Sequence, residues 1–303
     1  MEIQPITDGN IDAVWELYQR TAAECDMVPL DWFKFKILGD PDPDPCLTLA
    51  AVESGHPIAF MAAVCRQTGD GPIGFVKVWG TDRSQQGRGI ASVLLERIEG
   101  RFRELGVGRI GVGYSRPNYI TPGIDASAYT PAVGFLLRRG FKYVRMNYNM
   151  DVPLAGRKFS EPEAERSLAE RGVIIRRVES DERERFSSWV EGDWSAGWRY
   201  QADTACDADP PAAFAAEKDG KFVGFAVYDG VRPGWFGPTG TSEALRGFGI
   251  GSALFLKCLD DMQDKGYPIC HICAVSPLYF YSKVIGATVS RTFWLMEKTL
   301  DCS

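Results

Sequence analysis

Histidine is scarce, long apolar runs are missing, and positive charge is in deficit. Two histidines in 303 residues leave little material for a His-based metal centre. No run approaches the roughly 18 consecutive apolar residues of a membrane-spanning helix, so no membrane partner is expected. The 34 Lys and Arg fall short of the 40 Asp and Glu, for a net charge of −6. No basic block offsets that excess, which argues against nucleic acid or anionic membrane as a main partner. The opening MEIQPITDGN lacks the basic and then apolar start of a secretory signal, so a cytoplasmic location is expected. Eight cysteines are scattered rather than grouped as a disulfide framework. The CHIC stretch at 270–273 lies in YPICHICAV, a strand pattern that points Cys270 and Cys273 to opposite faces, and packing is the expected role of both and of His271.

What the chain does have is a repeat. Shifting the sequence by 160 lays Gly80, Thr81, Gly87, Gly89, Ile90, Ser92, Leu94 and Gly106 onto Gly240, Thr241, Gly247, Gly249, Ile250, Ser252, Leu254 and Gly266. So long a period means duplicated domains and not a solenoid of short units. The flanks agree: LTLAAVE, PIAFMAAVCRQ and IGFVKVWG read as strands before the first glycine stretch, and AAFAAEK, KFVGFAVYD and GWFGPTG before the second. Helices are expected over 90–105 and 250–265, each closed by a glycine, followed by the strands RIGVGYS and PICHICAV. Thr130 with Pro131, and Ser276 with Pro277, mark the start of a shorter helix in each half, ahead of the closing strands KYVRMNYNM and ATVSRTFWLMEK. The expected organisation is an N-terminal domain over 1–157, a polar linker helix over 158–171 with a Ser160 to Glu163 capping box, and a C-terminal domain over 172–303. Early helices are expected near 11–24 and 30–38, while 181–208 reads as less regular.

Glycine is a poor helix former, so its crowding at two helix starts calls for a reason. The first N–H groups of a helix have no partner within it, and the helix dipole adds partial positive charge there. A strand, a tight turn and such a start make an anion seat. The dinucleotide pattern GxGxxG fails in both copies, and no GK followed by Ser or Thr supplies a Walker-type loop. What fits both is Gln or Arg, two residues, Gly, one residue, then Gly or Ala: Gln86, Gly89, Ala91 and Arg246, Gly249, Gly251.

On these residues each half resembles the GNAT superfamily of acetyl-CoA-dependent N-acetyltransferases, over nearly the whole chain. The resemblance implies an α/β fold, a mixed sheet with flanking helices, in two tandem GNAT-like domains. It also implies that Gln86, Gly87, Arg88, Gly89, Ile90, Ala91 and Ser92, and Arg246, Gly247, Phe248, Gly249, Ile250, Gly251 and Ser252, seat the pyrophosphate of coenzyme A. Thr81 and Thr241 lie on the strand that would bond the pantetheine arm. Many members protonate the departing thiolate with a tyrosine of the last helix. FYSKVIGA puts Tyr281 there in the second half, whereas FLLRRGF puts Leu136 there in the first. The second half is therefore expected to be catalytic, with Tyr129 or water as substitutes in the first.

Asp82, Asp229 and Glu243 are open as general bases, each also readable as a solvated surface charge. The insert RPNYITPGIDASAYT reads as an ordered loop at the acceptor cleft or a plain surface loop. Trp189, Trp194, Trp198 and Tyr200 read as core packing or as a wall of the acceptor site. The expected activity is transfer of acetyl from acetyl-CoA to a primary amine of a small molecule or peptide, the alternative being a non-catalytic acyl-CoA-binding protein.

Overall fold

The computed structural model describes residues 1–301. The chain packs as two compact units, one of Met1–Asn147 joined by the chain from Thr292 onward, the other of Tyr148–Arg291.

In the first unit, β1 (Glu2–Pro5), α1 (Ile11–Thr21), α2 (Leu30–Ile37), β2 (Thr48–Glu53), β3 (His56–Thr68), β4 (Gly71–Thr81), α3 (Ile90–Glu104), β5 (Arg109–Val112), α4 (Thr130–Arg138) and β6 (Lys142–Pro153) follow in order. Along β3, Ala59, Met61 and Ala63 pack with Leu94, Ile98 and Phe102 of α3, while Phe60 and Ala62 pack with Val14, Leu17 and Tyr18 of α1. Alternate residues of one strand thus bury two faces, which is why this segment reads as nearly continuous apolar sequence.

In the second unit come α5 (Pro162–Glu170), β7 (Val173–Arg177), α6 (Arg183–Asp193), α7 (Ala196–Cys206), β8 (Ala213–Lys218), β9 (Lys221–Tyr228), β10 (Trp235–Thr241), α8 (Ile250–Asp264), β11 (Ile269–Ile272), α9 (Leu278–Ile285) and β12 (Thr288–Thr299). Its core gathers Phe186, Phe225, Phe236, Phe255 and Leu259 between sheet and helices.

The sheets share one plan. In the first unit the order is β1, β2, β3, β4, β5, β12, with β4 and β5 parallel and the other pairs antiparallel. In the second it is β7, β8, β9, β10, β11, β6, with β10 and β11 parallel. The closing strand of each sheet comes from the other half of the sequence: Glu297 faces Gly111, and Cys270 faces Val152. The compact units therefore divide differently from 1–157 and 172–303.

Four local expectations are corrected. The region 181–208 is two helices, because Phe186, Val190, Ala202 and Ala205 bury against the sheet and the Ser195 hydroxyl accepts Trp198 N–H at 3.3 Å to start α7. Ser160 caps no helix: its N–H lies 2.9 Å from Asp260 Oδ2, its hydroxyl donates to the same oxygen, and α5 begins past Glu161. That helix is no free linker, since Leu168 is buried in the second core. Thr130 stands inside α4 and donates to Ala126 O at 2.8 Å, Tyr129 taking the cap position; Pro277 takes it in α9. Among the described residues no helix is long and apolar enough to cross a membrane.

Candidate functional site

The two glycine stretches adopt one conformation. Gly87 and Gly89 have φ of 78° and 79°, and Gly247 and Gly249 have 84° and 88°. A Cβ at any of the four would meet nothing within 4 Å, so glycine is required by the left-handed backbone and not by crowding. Gly89 and Gly249 then cap α3 and α8. Among the described residues the amides of 87–91 and of 247–251 make no backbone hydrogen bond. They are left for a ligand at the positive end of a helix dipole.

The residue ahead of each glycine pair has a local task as well. Gln86 Nε2 donates to Thr81 O at 3.2 Å, and Arg246 Nε to Thr241 O at 3.3 Å. Either side chain spans the intervening turn and ties the loop to the end of its strand. A long side chain with an N–H at its end is what the position needs.

Beside the first loop the sheet opens. Gly74, Phe75 and Val76 of β4 pair with Ile110, Gly111 and Val112 of β5, and beyond Val76 the strands part. β4 stays on β3 through Thr81, so its other edge lies bare. Val76 faces Ala63 while Val78 faces Ala62, which makes Lys77 the extra residue of a bulge. The gap is a cavity of about 660 Å³, lined by Trp79, Gly80 and Thr81, by the loop from Gln86 to Ser92 without Arg88, by α4, and by Tyr18, Thr21 and Asp26. That volume suits a ligand of ordinary size.

Among the polar groups on its wall are Asp26 and Lys77. Asp26, 1% exposed, accepts the Tyr129 hydroxyl at 2.7 Å, and the Tyr129 oxygen accepts Ala23 N–H at 2.9 Å. Burial, reinforced by that carboxylate, pushes the Tyr129 phenol well above its ordinary range. Lys77 donates to Lys36 O and to Asp40 Oδ2, both at 2.5 Å. Burial, partly offset by Asp40, brings its ammonium down to about 8.

Asp40 in turn holds Arg66, whose Nε and Nη2 donate to Arg116 O and Ser115 O at 2.9 and 3.2 Å. The insert is therefore an ordered loop, and its Ile120, Thr121, Gly123 and Ile124 line the cavity.

In the second unit the corresponding space holds side chains. Trp194 lies so close to Gly240 that a Cβ there would fall 2.6 Å from the indole, and Phe280 would lie 3.8 Å from one on Gly251. Trp194 also stacks on Trp198 at 6.1 Å and meets Phe225 at 4.9 Å, with Trp189 at 5.0 Å, so this aromatic run packs as core. Tyr281, 6% exposed, has Phe236, Phe255 and Phe280 edge-on at 6.2, 5.2 and 4.9 Å. Burial pushes its phenol upward. Leu136, at the equivalent place, is 1% exposed in the first core.

The remaining sequence candidates have other partners. Arg88 bonds Gln85 and faces Glu53 at 3.7 Å, and the exposed Phe248 lies under the Arg171 guanidinium at 5.5 Å. Asp82 caps its turn through Ser84, a hydrogen bond that holds its carboxyl below the ordinary range. Glu243 pairs with Arg246 at the surface. Asp229 accepts Gly234 N–H and Tyr267 O–H at 2.7 and 2.9 Å, and burial raises its carboxyl. Cys270 is buried, and His271 Nδ1 lies 2.8 Å from Asp151. Sequence reasoning missed Asp26 and Lys77. For Lys77 a signal existed, a charge inside the apolar strand IGFVKVWG; for Asp26 there was none.

A mixed sheet whose one parallel pair parts beside a glycine helix start, built twice, defines a tandem acyltransferase-type fold. The model of the Acetyltransferase (GNAT) family matches residues 11–121 and 175–281, and the chain belongs to that family.

Solved structures agree on the fold. A GCN5-related glucosamine N-acetyltransferase region in a fungal multi-domain β-N-acetylglucosaminidase has a TM-score of 0.79 at 16% identity, covering 98% of this chain and 38% of that longer one. A tandem GNAT protein from the clavulanic acid biosynthesis pathway has 0.71 at 13%, covering 100% and 99%. A GCN5-related N-acetyltransferase from Sphaerobacter thermophilus has 0.66 at 17%, covering 98% and 95%. A search of curated proteins by sequence finds no match.

Proposed function

We propose that the first unit binds acetyl-CoA and passes its acetyl group directly to a primary amine of a small molecule or peptide. The observation that carries this is one cavity reaching from the glycine loop past the bare edge of β4 to Asp26. The residues present fit the coenzyme: the amides of 87–91 would receive its pyrophosphate, and the open edge at Trp79 and Thr81 the amides of its arm. Acetyl-CoA supplies an activated thioester carbonyl. The protein's part is to seat it, to orient an amine beside it, and to keep water out. The loop from Arg246 to Ser252 repeats the same φ angles and open amides and is proposed as a second coenzyme seat.

Sequence favours the second half through Tyr281. The cavity moves our reading to the first, where Leu136 stands in the tyrosine position. That leucine also favours a second reading, a coenzyme-binding unit without turnover, because a leucine donates no proton.

Thiol release from acetyl-CoA across a panel of primary amines tests both. A valine in the left-handed region is strongly strained, so Gly89→Val should cut release at least about tenfold while Gly249→Val and Tyr281→Phe retain it. Loss in the second pair with retention in Gly89→Val would return the reaction to the second unit. Tight coenzyme binding without thiol release from any amine would favour the non-catalytic reading.

A further inference from the structure

Of the residues that line the cavity, Asp26, Lys77, Arg138 and Arg139 carry charge. Arg138 ends α4 and Arg139 is its C-cap; with Pro131, Ala132 and Phe135 they follow at helical spacing and form the cavity face of that helix. Arg139 fixes where this end lies. Its Nη1 donates to Glu96 Oε1 at 2.9 Å, and Glu96 stands in the second turn of α3, the helix that the first glycine loop opens. The arginine end of α4 is therefore the loop end of the cavity, and Tyr129, bonded to Asp26, marks the other. Lys77 is engaged by Asp40, as Arg139 is by Glu96. Arg138 is exposed and, among the described residues, has no hydrogen bond or ion pair. Its Nη1 lies 3.5 Å from the place of a Cβ on Gly134, so the side chain folds back along α4 over a position that carries nothing. An arginine at a helix C-terminus also complements the helix dipole, but that role does not require it to border a cavity.

We infer that Arg138 takes the 3′-phosphate of coenzyme A, so that the first unit prefers this coenzyme to its 3′-dephospho form. The open amides of 87–91 account for the pyrophosphate alone. The ribose phosphate is a further anionic group, and a guanidinium is the side chain that meets phosphate oxygens with two N–H groups at once. Arg88, the cation within the loop, bonds Gln85, faces Glu53 at 3.7 Å and does not line the cavity. The inference rests on the coenzyme reading of this cavity, and binding is measured without turnover.

The test is isothermal titration of the full chain with coenzyme A and with 3′-dephospho-coenzyme A. The natural chain should bind coenzyme A at least about tenfold tighter, and Arg138→Gln should bring the two compounds within about threefold of each other. Dephospho-coenzyme A should bind that variant as it binds the natural chain, which verifies that the variant folds. Arg138→Lys, a point charge without the planar fork, should keep part of the preference, and raised salt should shrink it, since the group is exposed. Arg88→Gln should keep it in full. Gly249→Val spoils the second loop, and the preference should survive in that background. Equal binding of the two compounds by the natural chain, an undiminished preference in Arg138→Gln, or a preference lost with Gly249→Val would overturn the inference. A chain that binds both compounds equally and still releases thiol loses only the inference, whereas one that binds neither loses the coenzyme reading too.

Discussion

Replacing Arg66 by Met should destabilise the first unit by about 4 kcal/mol, since breaking a buried ion pair from one side costs roughly 3–5 kcal/mol. A guanidinium has five N–H donors, and here each has an acceptor. Nε serves Arg116 O, Nη1 serves Asp40 Oδ1 and Asp42 Oδ2, and Nη2 serves Asp40 Oδ2 and Ser115 O. The side chains of Arg66 and Asp40 are 7% and 4% exposed, so their pairing is barely screened, whereas Asp42 at 51% contributes little. Met would leave Asp40 with Lys77 and the Asp42 backbone N–H, and the Arg116 and Ser115 carbonyls without their guanidinium donors. Lys at the same place keeps the charge but offers only three donors, so Arg66→Lys should fall between, at about 2 kcal/mol.

Urea unfolding followed by tryptophan fluorescence measures both. The loss should appear in the transition of the first unit, with its slope unchanged. The pH dependence carries a sign. Burial alone would raise the Asp40 carboxyl, but Arg66 hydrogen bonds and the Lys77 charge hold it below its ordinary 3.8. Its contribution is therefore present above the unfolded value and is lost as pH falls through the folded one. Arg66→Met should flatten that acid limb. A cost under about 1 kcal/mol, the worth of a surface pair, or an Arg66→Lys variant as stable as the natural chain, would refute the reasoning.

Lys77 gives a slope of the same sign at the alkaline end, here because burial disfavours its charged form. Its folded value of about 8 lies below the ordinary 10.5, so the unfolded chain binds the extra proton between these values and stability should rise with pH across that window. The gap is worth about 3 kcal/mol, and Lys77→Met should abolish the rise in a urea series from pH 7.5 to about 10.5. Asp40 is stabilised in its charged form by two cations, while Lys77 faces one carboxylate and the repulsion of Arg66; the two shifts describe one pair seen from unequal ends. At the loops, Gly89→Ala and Gly249→Ala should each cost about 1–2 kcal/mol in urea unfolding for the left-handed backbone alone. Gly251→Ala should be nearly neutral, because a Cβ there would meet Thr241 at an ordinary 3.6 Å and the first copy carries Ala91.

Much of this protein was legible in one dimension where the physics is local. The nearly continuous apolar run PIAFMAAVCRQ read as a strand, and Gly87 with Gly89 marked a turn that side chains avoid. The paired helices of 183–206 were hidden because large aromatics are scattered among small residues on either side of Gly192 and Asp193, with no clean helical stripe. Asp26 was hidden for a different reason. Its neighbour Tyr129 is distant in sequence, and nothing in the stretch AAECDMVP distinguishes a wall residue from a solvated one until the two meet.

The amino-acid sequence by itself determined that the chain is a duplication, that each copy runs strand, glycine loop, helix, and that a Gln or Arg must precede the loop. Those features depend on residues a few positions apart, where backbone sterics and hydrogen-bond reach leave little choice. Only the tertiary structure decided that β12 closes the sheet on β5 and β6 closes that on β11. A strand's side-chain alternation selects its buried face but not its neighbour, and two halves of the same plan offer each closing strand two similar berths. The same holds for the cavity. Both loops carry the same turn, but Trp194 and Phe280 occupy the space beside one, while a loop held by Arg66 walls an open cleft beside the other.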